Sequence, residues 1–469
     1  MKEKTGVKVL FPVWELEPFL KVGGLGEVAR SLPHALHTRG VDIAVVLPRY
    51  KAMKMHRQRP ELLGTILVPY GGKKIEVKVF KITFLEAPIP VYLLSNKKYF
   101  DKPGEETFAV FAGAVVELLR SDLLGEWRPE IIHCNDNHCG LIPLLLKVRQ
   151  MSYKTLMTIH CVSHQRKSPP GYATKLGIPL DRLSLSQWES PKKQLNFLLE
   201  GIIHADHVNT VSPTYLQEIQ TEELGAGLDD IVRENMSKTT AILNGIDYEL
   251  RNPETDLSLS KRYTALTAIT AKKSNKAHLQ KMLHLSVRAD VTLIGFVGRM
   301  DVRQKGIEIL HRMLWREQFD NCQFVIMGHG EEEWEDKFTA LSSFLPNVAV
   351  VTKYDDSLAS LIYAASDFVL IPSHFEPCCL IQMNAMRYGA IPIARATGGL
   401  SDTVHEGVNG LLYISPTARE LKQTLEKAIV LKKSKPDLHA AMVKNAMETN
   451  FSWEKSAREY IDLYHEIIG

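Results

Sequence analysis

Residues 7–39 read VKVLFPVWELEPFLKVGGLGEVARSLPHALHTR, and this stretch decides the fold. The apolar run at 7–13 is typical of a buried strand, a glycine-rich loop follows at Lys21–Gly24, and Gly26–Arg39 has a helical pattern. Glycines allow close approach of a ligand to the backbone, a helix N-terminus favours anions, and the lysine adds a positive charge. The stretch therefore predicts a first β–α unit whose turn is either a phosphate site or a plain tight connection.

The alternation of apolar runs and helical stretches continues through the first half of the chain. Further strand-like runs lie at 41–48, 77–84, 90–95, 131–136, 155–160 and 207–212. Their nearly continuous apolar character is typical of parallel strands that are covered on both faces. A polar stretch at 248–290 then interrupts the series, and within it we predict one helix at 275–285.

A second series of strand-like runs follows this polar stretch. It comprises 291–299, 322–330, 348–354, 368–373 and 390–395. Two series of strand–helix alternation predict an α/β protein with two doubly wound, Rossmann-like domains. We place the first domain at 1–250, joined by a last helix at 453–469, and the second at 251–452. Two such sheets are expected to face each other across a cleft that holds the site.

Composition excludes several classes of protein. The 469 residues carry a net charge of +3, which does not favour nucleic-acid binding. No apolar run approaches the ~18 residues of a membrane span, and no signal peptide is recognised at the start. Six cysteines do not form a disulfide framework, so we expect a reduced, cytoplasmic setting.

Polar side chains stand where the predicted strands of the first half end. Asp136 and His138 follow the run 131–136, and His160 ends the run 155–160. Ligands bind doubly wound sheets beyond the carboxyl ends of the strands, which favours a functional role. A structural hydrogen bond is the alternative for each histidine.

The second half places two cations at one strand–helix junction. Arg299 closes a predicted strand and Lys305 opens the next helix, an arrangement that suits a diphosphate. The alternative is a solvated basic loop, since Arg303 lies between them.

A carboxylate follows another strand of the second half. Glu376 lies just before a helix predicted to start near Cys378, where it can accept hydrogen bonds from sugar hydroxyls. Its alternative role is to stabilise the helix N-terminus, worth about 0.3–1 kcal/mol. Thr397–Gly399 forms a further glycine turn into a helix.

These motifs, in this order, resemble bacterial glycogen synthases and plant starch synthases, the retaining glucosyltransferases of glycosyltransferase family five. The resemblance runs nearly from end to end. It is carried by Lys21–Val28, His133–Leu141, Ala205–Tyr215, Leu243–Asp247, Asn252–Asp256, Phe375–Cys378, Thr397–Val404 and Phe451–Glu459.

The resemblance implies a GT-B fold and transfer of glucose from ADP-glucose to the non-reducing end of an α-1,4-glucan or maltooligosaccharide. It implies catalytic roles for Asp136, His160, Arg299, Lys305 and Glu376. It implies donor contacts at Lys21, Gly23, Gly24, Tyr99, Asn244, Tyr354, Cys378, Cys379, Leu380, Thr397, Gly398 and Gly399. Because cationic side chains and a helix N-terminus would neutralise the leaving diphosphate, we expect no metal and no cofactor. Neither nucleic acid nor a membrane is an expected partner, and the oligomeric state is not indicated.

The chain also departs from the family pattern at several of these segments. The departures are Glu27 for Asp, Asn137 for Trp, Cys161 for Asn, Arg166 for Gly, Cys379 for Gly and Ile381 for Thr. They leave two alternatives open: a transferase with another nucleotide sugar or acceptor, and a weakly active glucan-binding regulator. The retained cations and Glu376 favour an active enzyme.

Five cysteines fall on these same segments. They are Cys134, Cys139, Cys161, Cys378 and Cys379. Their spacing matches no zinc pattern, and we interpret them as small buried residues.

Overall fold

A computed structural model describes residues 6–56, 58–84, 87–184 and 194–469. The chain divides into two compact units. Unit 1 comprises the chain up to Gly245 together with Trp453–Gly469, and unit 2 comprises Ile246–Ser452. The division after Gly245 lies a few residues before the boundary predicted at residue 250.

Unit 1 is built on one nine-stranded sheet. Its strands are β1 Lys8–Pro12, β2 Asp42–Pro48, β3 Glu61–Tyr70, β4 Lys73–Thr83, β5 Pro90–Ser95, β6 Ile131–Asn135, β7 Lys154–Ile159, β10 His207–Thr210 and β11 Thr239–Ala241, with the separate pair β8 Lys167–Ser168 and β9 Leu195–Asn196. Its helices are α1 Gly24–Thr38, α2 Glu105–Arg120, α3 Leu141–Val148, α4 Gly171–Lys175, α5 Phe197–His204, α6 Pro213–Glu218, α7 Asp229–Glu234 and, from the end of the chain, α17 Trp453–Ile468.

The strand order of this sheet is β11-β10-β7-β6-β1-β2-β5-β4-β3. From β1 the chain runs outward through β2 and then returns to β6 on the other side, so the order reverses between β1 and β6. Both faces are covered, because the neighbours Leu10 and Phe11 on β1 are buried in two different apolar clusters. A ligand is expected at such a reversal, beyond the carboxyl ends of the strands.

Unit 2 has a six-stranded, wholly parallel sheet of order β14-β13-β12-β15-β16-β17. Its strands are β12 Thr292–Val297, β13 Cys322–Met327, β14 Val348–Val351, β15 Phe368–Ile371, β16 Ile391–Arg395 and β17 Leu411–Tyr413. Its helices are α8 Ala268–Met282, α9 Val302–Lys305, α10 Ile307–Arg316, α11 Glu332–Phe344, α12 Asp356–Ala365, α13 Ile381–Arg387, α14 Gly398–Thr403, α15 Ala418–Ser434 and α16 Pro436–Glu448. Here the order reverses between β12 and β15.

The sheet of unit 1 is not wholly parallel, which corrects one expectation. Strand β4 pairs antiparallel with both β3 and β5, and β3 was not predicted. This hairpin is covered on one face only, so along β4 exposed and buried residues alternate, whereas a doubly covered strand is buried throughout. The short strands β11 and β17 were also missed.

The predicted helix at 275–285 begins earlier than expected, at Ala268. Its polar residues Lys272 and Lys276 are buried, which no amphipathic pattern indicates. The Lys272 ammonium donates to the carbonyl oxygens of Tyr363, Ala364 and Tyr388, at 3.0, 3.1 and 3.1 Å. It thereby binds the carboxyl ends of α12 and α13, where cations are favoured.

Helix α17 packs in unit 1, although it follows unit 2 in the chain. Tyr464 Oη lies 2.8 Å from Nδ1 of the buried His133 on β6. Asn209 Nδ2 on β10 donates to Tyr460 Oη at 2.9 Å. These polar contacts fix α17 on β6 and β10, while its apolar side chains share one core cluster with those of α1.

Candidate active site

The glycine-rich loop of unit 1 already binds a carboxyl group of its own chain. Glu15, which follows β1, accepts hydrogen bonds from the backbone N–H groups of Val22 and Gly23 at 2.5 and 3.0 Å. A Cβ on Gly26 would stand 3.1 Å from Glu15 Oε2, so only hydrogen fits there without adjustment. Burial raises the pKa of Glu15 to about 7, against the lowering effect of the loop amides and Lys21.

The ammonium group of Lys21 forms ion pairs with two carboxylates. It lies 3.2 Å from Glu17 and 3.6 Å from Glu27. In this loop Glu15 therefore occupies the amides of Val22 and Gly23, and Gly23 is one of the two glycines predicted to contact the donor. Gly23 is the N-cap of α1 and Gly24 its first residue, so the helix starts two residues before the predicted Gly26.

Asp136 follows β6 in a strained backbone conformation. Its φ of 59° and ψ of −178° lie in a region that is almost confined to glycine and costs about 1–3 kcal/mol for other residues. Its carboxylate is buried, and Oδ1 has no hydrogen-bond partner within the part of the chain that the structure describes. Burial raises the pKa of Asp136 to about 6, against the lowering effect of His164 and nearby backbone N–H groups. Strain and an unused buried acceptor together are typical of a functional site.

Two aromatic side chains hold His138 beside this carboxylate. The imidazole stacks on Trp14 at 4.6 Å and meets the edge of Phe108 at 4.6 Å. Its Nδ1 lies 3.8 Å from Asp136 Oδ2. Burial holds the pKa of His138 well below its usual range, so the ring is neutral at neutral pH.

His160 follows β7 and is also neutral. Burial lowers its pKa to about 3. Nε2 lies 3.1 Å from the side-chain oxygen of Asn135, and since that oxygen only accepts, Nε2 carries the proton. A ring with this pKa is a fixed hydrogen-bond donor rather than a proton shuttle at neutral pH.

In unit 2, Lys305 and Glu376 form a buried ion pair beside the strand reversal. Lys305 Nζ lies 2.6 Å from Glu376 Oε1, which also accepts from Ser373 Oγ at 2.7 Å. Glu376 is 2% exposed. Burial lowers the pKa of Lys305, but the adjacent Glu376 more than offsets this, so the net shift is upward and the ammonium stays charged.

Arg299 follows β12 and is anchored next to this pair. Its guanidinium donates to Gln304 Oε1 at 2.7 Å, and another nitrogen lies 3.5 Å from Asp301 Oδ2. The side chain is 48% exposed, so donors remain open to solvent. Gln304 Nε2 in turn lies 3.5 Å from Glu376 Oε2. Two cations and one carboxylate thus lie at the carboxyl ends of the neighbouring strands β12 and β15.

The segment after Glu376 is fixed by close backbone packing. Gly399 N–H donates to the carbonyl oxygen of Glu376 at 3.0 Å, and a Cβ on Gly399 would lie 2.2 Å from the carbonyl oxygen of Cys378. Cys379 is held at φ 60°, in the left-handed region that favours glycine. Burial and the charge of Glu376 raise the pKa of its thiol to about 12. The helix predicted near Cys378 begins later, at Ile381.

The other predicted donor contacts are Tyr99, Asn244, Tyr354 and four residues near Glu376 and Gly399. Tyr99 packs edge-on against Tyr70 at 5.8 Å, and the side-chain oxygen of the buried Asn244 has no hydrogen-bond partner in the described ranges. Tyr354 is 44% exposed and donates to Asp356 at 2.8 Å. The segment after Glu376 and the turn at Gly399 contain the remaining four predicted contacts, Cys378, Leu380, Thr397 and Gly398.

Sequence reasoning missed Glu15, Ser373 and Gln304, which position the predicted residues. Glu15 had one signal, a carboxylate two residues after an apolar strand run. The partners Ser373 and Gln304 had none, because their contacts depend on how distant segments pack.

Comparison with known proteins now assigns the chain. Residues 8–234 match the starch synthase catalytic domain, and residues 284–449 match the glycosyl transferases group 1. A glycogen synthase of Pseudothermotoga lettingae is 36% identical over 98% of this chain and 99% of its own length. Glycogen synthase 2 of Nitrosococcus oceani is 35% identical over 98% of both chains.

The chain belongs to the glycogen and starch synthase family. It has the GT-B fold and is a glucosyltransferase of glycogen and starch synthesis, as the resemblance in its motifs predicted. The catalytic domain of starch synthase IV from Arabidopsis thaliana, solved with ADP and acarbose, has a TM-score of 0.91 and 31% identity over 98% of this chain and 99% of its own.

Three further observations concern the described residues. No helix among the described residues is long and apolar enough to cross a membrane. The described part of the chain also contains no group of three or more His, Cys, Asp or Glu side chains that could hold a metal ion. The predicted small-residue role of the cysteines fits their burial as free thiols.

Proposed function

We propose that this family member transfers glucose from ADP-glucose to the non-reducing end of an α-1,4-glucan, with retention of configuration. The Lys305–Glu376 pair carries the proposal. Breaking the bond between sugar and diphosphate leaves negative charge on the diphosphate. Fixed cations at that position stabilise the transition state, and one such donor is typically worth about 3–4 kcal/mol.

Lys305 and Arg299 supply this positive charge in unit 2. Lys305 is held by a buried carboxylate, so its ammonium need not reorganise when charge develops. Arg299 is half exposed and can meet a second phosphate oxygen. Glu376 accepts hydrogen bonds from hydroxyls of the transferred glucose in addition to holding Lys305.

The backbone around Cys379 and Thr397–Gly399 completes the donor side of unit 2. Gly399 brings this backbone against the Glu376 segment with no room for a side chain. Cys378, Leu380 and Gly398 lie on the same two segments, and Tyr354 is exposed beyond β14. These residues contact the nucleotide and phosphates in the proposal.

Unit 1 supplies fixed polar groups for the sugar. Asp136 offers an unused carboxylate oxygen, and His160 is held in one neutral form by Asn135. The His160 carbonyl faces the developing positive charge of the oxocarbenium ion. Lys21 and the amides of Gly23 and Gly24 contact the donor, in which case Glu15 competes with it or moves.

The charges in this scheme come from side chains, so the proposal invokes no metal and no cofactor. Activity of the purified enzyme should be unchanged by 10-fold excess chelator over protein. Loss of turnover on chelation, restored by a divalent cation, would contradict this part.

A transferase with another acceptor or donor is the second candidate. It is favoured by the substitutions Asn137 and Arg166, whose side chains are hydrogen-bonded to each other at the edge of the unit 1 site. Cys379 also places a thiol side chain, where the family pattern has glycine, on the backbone that would meet phosphate.

One assay separates these possibilities. The purified protein is given ADP-glucose, UDP-glucose or other nucleotide sugars with maltoheptaose, and nucleoside diphosphate release and chain length are measured. We expect ADP-glucose to support elongation, and digestion of the product by an α-1,4-specific exo-enzyme to verify linkage and anomer. Turnover with another donor but not ADP-glucose would reject the donor assignment, and glucan binding without any turnover would indicate a regulator.

A further inference from the structure

Arg166 stands in the unit 1 site in a conformation that its residue type disfavours. It follows β7 and has φ 54°, in the left-handed region where a side chain is strained. Such strain persists only where the surroundings fix the residue, and it clusters at functional sites. The contacts of the guanidinium show what fixes it here.

Two contacts hold the guanidinium. Arg166 Nε donates to the side-chain oxygen of the buried Asn137 at 3.1 Å. The guanidinium carbon lies 4.8 Å above the ring of Phe108, a cation–π contact. Asn137 also donates through Nδ2 to Asp136 Oδ2 at 3.3 Å, so Arg166, Asn137 and Asp136 form one chain of hydrogen bonds.

Several donors and acceptors along this series of hydrogen bonds have no partner in the described ranges of the chain. Within the described residues, the two terminal nitrogens of Arg166 make no hydrogen bond, and the buried Oδ1 of Asp136 has no partner. Nδ1 of the buried His138, next to Asp136, has none either. One small site therefore offers free donors and free buried acceptors side by side, which is the pattern that a hydroxyl group satisfies because it both donates and accepts.

Local charge decides between a neutral and an anionic ligand. The positive charge of Arg166 faces the carboxylates of Asp136 and Glu105 and the phenol of Tyr50. The imidazole of His164 faces Asp136, and both His164 and His160 lie near His138. His138 is neutral at neutral pH. The carboxylates balance the guanidinium, so the site has no excess positive charge for a phosphate or carboxylate.

We propose that Arg166 is an acceptor-specificity residue, whose terminal nitrogens bind hydroxyl groups of a neutral acceptor sugar beside Asp136. Asn137 is its positioning residue. The acceptor is then held by directed hydrogen bonds at the position where the family pattern has a tryptophan. This inference rests on the proposed glucosyl transfer to a glucan.

The test compares KM values for acceptor and donor in Arg166→Gly and wild type. Glycine suits φ 54°, so this variant is expected to fold at least as well as wild type. Losing hydrogen bonds to a charged donor should raise the KM for maltoheptaose about tenfold. The KM for ADP-glucose should change less than twofold. Arg166→Lys, which keeps the charge but not the planar fork, should restore less than half of the loss on a logarithmic scale.

Arg120→Ala is the matched control, since Arg120 lies at the far end of α2 and pairs with Glu117 on the surface. It should leave both KM values unchanged. An unchanged acceptor KM in Arg166→Gly, or an equal rise in both KM values, would overturn the proposal. So would a wild-type preference for a 6-phosphorylated maltooligosaccharide that Arg166→Gly abolishes, because that result indicates an anion site.

Binding measurements distinguish failure of the proposed glucosyl transfer from failure of the proposed role of Arg166. If wild type does not turn over ADP-glucose, calorimetric binding of maltoheptaose to wild type and Arg166→Gly replaces the KM comparison. A tenfold weaker Kd in the variant supports the role of Arg166. Equal affinity, or no binding by either protein, contradicts it.

Discussion

At the scale of single residues, two side chains hold conformations or charges that their position disfavours. Glu15 is a buried carboxylate whose pKa is about 7, and Cys379 occupies a left-handed backbone position. Cys379 lies on a segment that the sequence marks as functional, and Glu15 binds the backbone of another. Each gives a prediction that does not depend on catalysis.

Glu15 should make stability fall as the pH rises. Its pKa is about 7 in the folded protein against an ordinary 4.5, so ionisation favours the unfolded state. The free energy of unfolding should therefore decrease by about 3 kcal/mol between about pH 4.5 and 7 from this group, and be flat above. Glu15→Gln keeps an oxygen for Val22 and Gly23 and should remove that decrease. Denaturant unfolding across this range measures it, with Glu61→Gln on the exposed edge strand as control; an unchanged pH profile in Glu15→Gln would refute the assignment.

At position 379 a glycine variant should be more stable than an alanine variant, which is the reverse of the usual order. At φ 60° any Cβ is strained by about 1–2 kcal/mol, so Cys379→Gly should be about 1 kcal/mol more stable than Cys379→Ala. At Cys322, a strand position on β13, alanine should be the more stable of the two. Thermal or denaturant unfolding of the four variants checks this. The same order at both sites would contradict the strain at Cys379.

Some features of single residues could be predicted from the sequence and others could not. Lys305 and Glu376 were predicted separately, each from its place at a strand end, and the structure pairs them. Neither Glu15 nor the Arg166–Asn137 contact was predicted. Their partners come from segments whose approach is set by tertiary packing, for which a single sequence carries no periodic signal.

At the scale of elements, the turn at Gly399 positions the Glu376 segment. An added Cβ would lie 2.2 Å from a carbonyl oxygen and 2.5 Å from Cα of Cys378, both backbone atoms that cannot swing away. Gly399→Ala should therefore lower the free energy of unfolding by about 2 kcal/mol or more and reduce turnover. Gly171→Ala is the control, since its Cβ meets nothing within 4 Å. Comparable stability of the two variants would show that the turn can relax.

Elements with a regular apolar pattern were predictable and those shaped by their neighbours were not. Strands β1 and β12 follow from continuous apolar runs. Strand β3 and the early start of α8 do not, because β3 is an edge strand with mixed exposure and α8 buries lysines against helix ends. Burial of Lys272 cannot be predicted from the sequence of α8 alone, because its hydrogen-bond partners lie at the ends of α12 and α13.

At the scale of the whole molecule, the chain passes from unit 1 to unit 2 and back, and α17 ties its end to unit 1. Tyr464→Phe leaves Nδ1 of the buried His133 without its partner. The variant should lower the free energy of unfolding of unit 1 by about 1–3 kcal/mol. Lys455→Ala, on the exposed side of the same helix, should have little effect. Hydrogen exchange of β6 and β10 locates the loss, and equal protection in the two variants would contradict it.

The chain is expected to be an active glucosyltransferase despite its substitutions. The most direct test is kcat for elongation of maltoheptaose from ADP-glucose by Lys305→Ala, beside the exposed neighbour Arg303→Ala and with thermal unfolding recorded for each. We predict that wild type elongates the glucan, that Lys305→Ala loses about 100-fold or more in kcat, and that Arg303→Ala stays within about twofold. A Lys305→Ala protein as active as Arg303→Ala, or a folded wild type that forms no glucan, would contradict the account.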